Sequence, residues 1–247
     1  MASAADERTA VGDDDGGQKR ARPARHTRAG KYPVSRFNSV VLDVDSTLSG
    51  VEGIDWLASQ RGPDVQAWSA ALTDRAMAGK IPIEAVYGER MNKVRPSSSE
   101  IEELGRVYIE RIAPHARETL AALQANSVDV AMVSGGLREA ILPLATTLGV
   151  DHRRVCAVSV FFDGAGNYAG FDETSLLTQQ TGKRATVQSL RLRGPILAVG
   201  DGMTDCEIKP VVQNFAAFTG FTRRDQVIQR ADFVIDNFDQ LRELVLE

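Results

Sequence analysis

Three short, mainly apolar runs, residues 40–42, 128–133 and 196–199, each give way abruptly to chemically capable residues: Asp43, Ser134 and the Gly200-Asp201 pair. With helix-period stretches between them, they predict an α/β fold, a doubly wound, Rossmann-like parallel sheet with a small helical cap inserted after the first strand. A strand covered on both faces reads as a continuous apolar run rather than an alternating one. Ligands of open α/β sheets bind beyond the carboxyl ends of such strands.

The chain has 247 residues, 43% of them hydrophobic, enough for one large domain or a core with a smaller appendage. No apolar run approaches the roughly 20 residues that span a bilayer, which excludes a helical membrane protein, and the amino terminus lacks a signal peptide's apolar stretch. Cys156 and Cys206 are the only cysteines, too few for a disulfide framework or a four-cysteine zinc site. A reducing cytoplasm is the expected compartment. Residues 1–36 carry eight basic and five acidic side chains, +3, which leaves the rest of the −4 chain at −7. An acidic body argues against nucleic-acid binding, so no such partner is expected. The purely basic stretch from Lys19 to Arg36 has almost nothing apolar to bury. It reads as a solvated disordered tail, with contact to RNA, DNA or an anionic surface as the alternative.

In chain order, residues 40–42 form the first strand, ending at Asp43-Val44-Asp45. A carboxylate pair there is a candidate metal and reaction site, or a turn or helix cap. Residues 50–112 contain no strand-like run. Val65, Trp68 and Leu72 recur at helical spacing, and Ile83, Val86, Tyr87 and Arg90 fall at i, i+3, i+4 and i+7, with Pro82 suited to a first turn. Ser97-x-x-Glu100 is a possible capping box for a helix bearing Ile101, Leu104 and Tyr108 on one face. Residues 52–110 are therefore the expected cap, and 37–51 with 111–247 the core. A helix over 115–124 leads to the strand 128–133 and to Ser134-Gly135-Gly136, read as a turn that cradles an anion or merely reverses the chain. Aromatics flank the Gly-rich stretch 161–168 and predict a hairpin. Lys183 and Arg184 sit in the first turn of a helix to Leu190, opposing its dipole unless a phosphate is near. The strand 196–199 runs into Gly200-Asp201-Gly202-Met203-Thr204-Asp205, and short strands follow at 215–218 and 233–235. Two acidic clusters on one sheet edge suit a hard, oxygen-ligated cation such as Mg²⁺. His26, His115 and His152 follow no metal-ligand spacing.

An aspartate attacks a phosphoryl group only when the charge on both partners is neutralised. Asp43, a divalent cation and Lys183 would form such a set, with Asp45 near enough to move the proton. The order Asp43-x-Asp45-x-Thr47, Ser134, Lys183, Gly200-Asp201-Gly202-x-x-Asp205 resembles the haloacid dehalogenase superfamily. Within it, Glu52-Gly-Ile-Asp, Arg75-Ala-Met, Glu89-Arg90 and Tyr168-Ala-Gly-Phe-Asp-Glu-Thr extend the likeness to the phosphoserine phosphatase family over residues 37–247. That resemblance implies a Mg²⁺-dependent phosphatase acting on a small phosphomonoester, O-phosphoserine, through an aspartyl-phosphate. It implies Asp43 as nucleophile and Asp45 as general acid/base. Mg²⁺ would be bound by Asp43, the Asp45 main-chain carbonyl and Asp201, and phosphate by Ser134, Gly135 and Lys183. Asp205 would orient Lys183, Glu52 would receive the substrate ammonium and Arg90 its carboxylate, with Gly202 and Thr204 in the substrate-facing loop. Without the resemblance, Glu52 serves equally as a helix cap and Arg90 as half of an internal ion pair. The sequence departs from the family at Ile83, usually aromatic, and at Ala113-Pro114-His115, usually Thr-Pro-Gly. Ile83 is expected to enlarge the pocket. A phosphatase or phosphotransferase for another small phosphomonoester, and a non-catalytic phosphate-binding regulatory protein, are the competing functions.

Overall fold

Strand β1 (Ser39–Leu42) is buried at every residue, because its Val-Val-Leu side chains are covered on both faces. Full burial of each such side chain contributes about 1.5–3 kcal/mol. The computed structural model describes residues 35–247. Most of the expected tail therefore lies outside the described residues. Its final member, Arg36, belongs to the folded body instead: its N–H donates to the Val245 carbonyl at 2.8 Å, and its guanidinium stands 4.9 Å from the Phe233 ring centre.

Six parallel strands form the main sheet. They are β1, β2 (Asp129–Leu137), β3 (Val155–Val158), β6 (Ile196–Gly200), β7 (Asn214–Phe218) and β8 (Phe233–Ile235), in the order β3-β2-β1-β6-β7-β8. Strands β4 (Val160–Phe162) and β5 (Tyr168–Phe171) make the expected antiparallel hairpin. The chain leaves β1 first toward β2 and later returns on its other side at β6, so the direction of winding reverses there. Leu42 pairs in register with Met132 on β2 and with Val199 on β6. Asp43, Ser134 and Asp201 then emerge side by side at the carboxyl edge, one or two residues past that level.

Five helices lie between β1 and β2, and the first four, α1 (Gly53–Ser59), α2 (Pro63–Met77), α3 (Tyr87–Val94) and α4 (Ser98–Glu110), fall in the inserted segment. The capping box of α4 is formed as read, with Ser97 and Glu100 satisfying each other's backbone N–H groups. The apolar stripe at Ile83 to Arg90 does not lie on one helix. Residues Ile83–Ala85 form a 3₁₀ turn, and Val86, at φ −128°, interrupts it before α3. Ile83, Val86, Tyr87 and Arg90 are nonetheless all buried, because a 3₁₀ turn followed by an α-helix keeps them facing inward.

Helix α5 (Ala116–Ala125) packs on β2 and on α10 (Phe238–Leu246), and α6 (Arg138–Thr147) packs on α4. Helices α7 (Gly182–Ser189), α8 (Met203–Cys206) and α9 (Asp225–Ile228) complete the body. Ser134-Gly135-Gly136 is not a turn. The extended backbone of β2 carries through it to Leu137, with a register irregularity against β3, and α6 begins at Arg138. Among the described residues no helix is long and apolar enough to cross a membrane.

Candidate active site

Asp43 continues the backbone ladder of β1, its N–H donating to the Val199 carbonyl at 3.0 Å, which fixes its carboxylate at the sheet edge. The chain then turns tightly. Ser46 adopts the left-handed conformation (φ 53°), and the Thr47 and Ser49 amides both donate to the Val44 carbonyl. That loop presents Asp45 beside Asp43 and brings Glu52 to the same cavity. Asp43, Asp45, Glu52, Arg90, Ser134, Gly135, Lys183, Asp201 and Thr204 all line it, as do Ile83 and Tyr87. The structure therefore brings together nearly every residue singled out by sequence. Gly202 and Asp205 stand behind the lining, where the Gly202 N–H donates to Asp205 Oδ2 at 2.9 Å.

Lys183 reaches from the first turn of α7 and lies 2.7 Å from both Asp43 Oδ1 and Asp205 Oδ1, almost fully buried. Burial by itself would lower its pKa, but the adjacent Asp205 and Asp43 carboxylates outweigh that and raise it, so the ammonium stays charged. Asp43 is pushed up to about 7, chiefly by burial and then by Asp205, against the opposing pull of Lys183. Asp45 and Glu52 also rise to about 7, each mainly by burial and then by its acidic neighbour, Asp43 and Asp45 respectively.

Carboxylate oxygens of Asp43, Asp201 and Asp205 lie within 4.8 Å of one another, all buried. A buried all-oxygen donor set of concentrated negative charge fits a hard divalent cation. Asp45 is not part of this cluster. Its Oδ1 accepts from the Gly53 N–H at 3.1 Å and from the Tyr108 hydroxyl at 2.5 Å.

Close approach excludes a Cβ at several glycines, three of which border these residues. A Cβ on Gly136 would sit 2.8 Å from Asp45 Oδ2, one on Gly200 would sit 2.2 Å from Asp205 Cγ, and one on Gly53 would sit 2.1 Å from Tyr108 Oη. Gly135 carries no such conflict. Its carbonyl accepts from the Tyr87 hydroxyl at 2.9 Å, which ties the cap to β2. Thr204 Oγ1 is buried in the cavity wall without a partner among the described residues, so it is free to meet a ligand.

Two expectations change in detail. Glu52 precedes α1 but does not cap it; its carboxylate accepts from Ser46 Oγ at 2.7 Å and lies 4.0 Å from Arg224. Arg90 does not await a ligand as its sole counter-ion, since its Nη2 pairs with Asp55 at 2.7 Å and its Nε donates to Ser69 at 3.1 Å. Nη1 makes no hydrogen bond among the described residues. The sequence motifs also leave out Tyr108 and Arg224. Tyr108 reads there as one more apolar position on a helix face. Arg224, at the start of α9, pairs with the buried Asp201 carboxylate from a loop with no motif around it.

A buried Asp-rich cluster at the switch point of a parallel sheet, with a lysine bridging two of its carboxylates, defines a phosphoryl-transfer class of site. Residues 40–208 match the haloacid dehalogenase-like hydrolase family, and the chain belongs to it. It is similar to the chloroplastic phosphoserine phosphatase of Arabidopsis thaliana, 35% identical over 210 residues that cover 82% of this chain and 70% of that protein. The phosphoserine phosphatase of Homo sapiens is 34% identical over 207 residues, 83% of this chain and 91% of that protein. Among solved structures, a phosphoserine phosphohydrolase-like protein of Francisella tularensis superposes with a TM-score of 0.77 at 23% identity, over 84% of this chain and 99% of that one.

Proposed function

We propose that the protein hydrolyses O-phosphoserine to serine and phosphate through a phosphorylated Asp43. The observation that supports this most directly is the buried trio of Asp43, Lys183 and Asp205, with Lys183 2.7 Å from each carboxylate, beside a second acid at Asp45. A site that only bound phosphate would gain nothing from a buried carboxylate aimed at an anion. Mg²⁺ held by Asp43, Asp201 and the Asp45 main-chain carbonyl, with Asp205 adjacent, would supply the positive charge that lets a carboxylate approach a phosphate.

In the first half-reaction an Asp43 oxygen bonds to phosphorus as the bond from phosphorus to the serine oxygen breaks. Asp45 gives its proton to that leaving oxygen. In the second, water attacks phosphorus and passes a proton back to Asp45, the bond to Asp43 breaks, and phosphate departs. Ser134 Oγ, the Gly135 N–H and Lys183 hold the phosphoryl oxygens on which charge accumulates. Glu52 receives the substrate ammonium and Arg90, through its remaining donor, the carboxylate.

Phosphate release from phosphoserine, phosphoethanolamine and a wider panel of phosphomonoesters, with and without chelator, tests the proposal. Phosphoserine is expected to have the highest kcat/KM, activity to require Mg²⁺, and Asp43→Asn to retain the fold without turnover. Equal efficiency on phosphoserine and phosphoethanolamine would mean a broader phosphatase. Turnover by Asp43→Asn would overturn the covalent mechanism.

A further inference from the structure

Tyr108 lies wholly buried on α4, and packing alone does not account for its hydroxyl. A phenylalanine would fill the same volume, whereas a buried hydroxyl needs a partner. That partner is Asp45 Oδ1 at 2.5 Å, and the missing Cβ of Gly53 is what admits the hydroxyl there. The Gly53 N–H donates to the same oxygen at 3.1 Å, so Oδ1 receives two hydrogen bonds from the protein. Among the described residues no donor reaches Oδ2, which lies on the Gly136 side, toward the strand that carries Ser134. An oxygen that already accepts two donors is the poorer seat for a proton.

The tyrosine is itself held from both directions. Ser49 Oγ donates to the Tyr108 carbonyl at 3.0 Å, the Gly50 N–H donates to the Arg111 carbonyl at 2.9 Å, and the Ala113 N–H donates to the Leu48 carbonyl at 2.9 Å. The end of α4 is thus laced to the loop that carries Asp45, which fixes the Tyr108 main chain relative to Asp45, while full burial confines its ring.

We propose that Tyr108 is a positioning residue for the acid/base: its hydroxyl, with the Gly53 amide, occupies Asp45 Oδ1 and leaves Oδ2 to carry the proton toward the leaving oxygen. The proposal rests on the acid/base role of Asp45 given above. When the bond from phosphorus to the ester oxygen breaks, the Oδ2 proton moves to that oxygen, Asp45 becomes a carboxylate, and Tyr108 keeps its own proton throughout.

An alkoxide leaving group needs that proton, while a nitrophenolate leaves without it. Leaving-group release in a single turnover, enzyme in excess, therefore separates orientation of the acid from general damage. The substrates are the alkyl phosphate turned over best in the panel above and p-nitrophenyl phosphate. Tyr108→Phe is expected to slow release from the alkyl ester by about tenfold or more, a part of the 10²–10⁴-fold worth of a general acid. Release from the aryl ester should slow much less, with the enzyme concentration that gives half the maximal rate little changed for either. Asp45→Asn should give the same pattern with a larger amplitude. Equal losses on both esters in Tyr108→Phe would reduce the tyrosine to a packing role, and no loss on either would remove it from the reaction; both outcomes overturn the proposal. If Asp45→Asn lacks the leaving-group dependence, the acid role of Asp45 fails and the positioning role with it. A change in the preferred alkyl ester alone touches only the substrate assignment.

Discussion

Arg224 shows how much a single side chain without a motif matters here. Its guanidinium pairs with Asp201, whose carboxylate is 2% exposed, and lies 4.0 Å from Glu52. It screens negative charge that would otherwise be concentrated among Asp43, Asp201 and Asp205. Removing one member of a buried pair leaves the other uncompensated, at about 3–5 kcal/mol. Arg224→Ala is therefore expected to lower the melting temperature in chelator, and to enlarge the gain in melting temperature when Mg²⁺ is added. Scanning fluorimetry with and without Mg²⁺ reads both quantities. An unchanged melting temperature in chelator would mean that Asp201 does not depend on Arg224.

At the level of elements, the cap is held together by the residue expected to read the substrate. Arg90 on α3 reaches Asp55 on α1 and Ser69 on α2, so one guanidinium joins three helices. Ser69 Oγ also donates to Asp55 at 2.5 Å, which closes a small buried network. Arg90→Ala should accordingly do two separable things. Unpairing Asp55 lowers the melting temperature, and loss of the free donor raises KM for phosphoserine more than for phosphoethanolamine. A lower melting temperature with an unchanged ratio between the two substrates would assign Arg90 to the architecture of the cap alone. Ile83 and Tyr87 share the cavity wall with it, and the tyrosine ring packs on Phe171 of the hairpin at 5.3 Å.

Across the whole molecule, stability is tied to proton and cation uptake at one place. Asp43, Asp45 and Glu52 all titrate near 7 in the folded chain, against ordinary values of 3.8, 3.8 and 4.5. A carboxyl that keeps its proton to higher pH when folded stabilises the fold below its unfolded value and withdraws that stability as pH rises toward its folded value. Carboxylates held low, such as Glu100 at about 2 beside Arg61, act in the opposite direction and only as pH falls below about 4.5. The melting temperature in chelator should thus fall as pH is raised from 5 to 7. Added Mg²⁺ should recover more of it at pH 7 than at pH 5, because the ion must displace protons from its carboxylates. A melting temperature that rises over that window in chelator would contradict the burial of these acids.

The sequence by itself determined five of the six strands of the sheet, the insertion of helices after β1, the hairpin, and the candidates for the site, but not β3, a short Val-Cys-Ala-Val run buried only at its ends. Each of those is written in local signals: continuous apolar runs, helix periodicity, a capping box, and polar residues where a strand stops. Only the tertiary structure decided how the members are paired. Register between β1, β2 and β6 aligned Asp43, Ser134 and Asp201, turned Ser134-Gly135-Gly136 into extended strand, and set the Gly136 backbone against Asp45. Tyr108 and Arg224 contact their partners 63 and 23 residues away. Arg90 finds Asp55 35 residues away. Charge pairing inside a fold depends on which elements come together, and the residues flanking each partner carry no periodic trace of it.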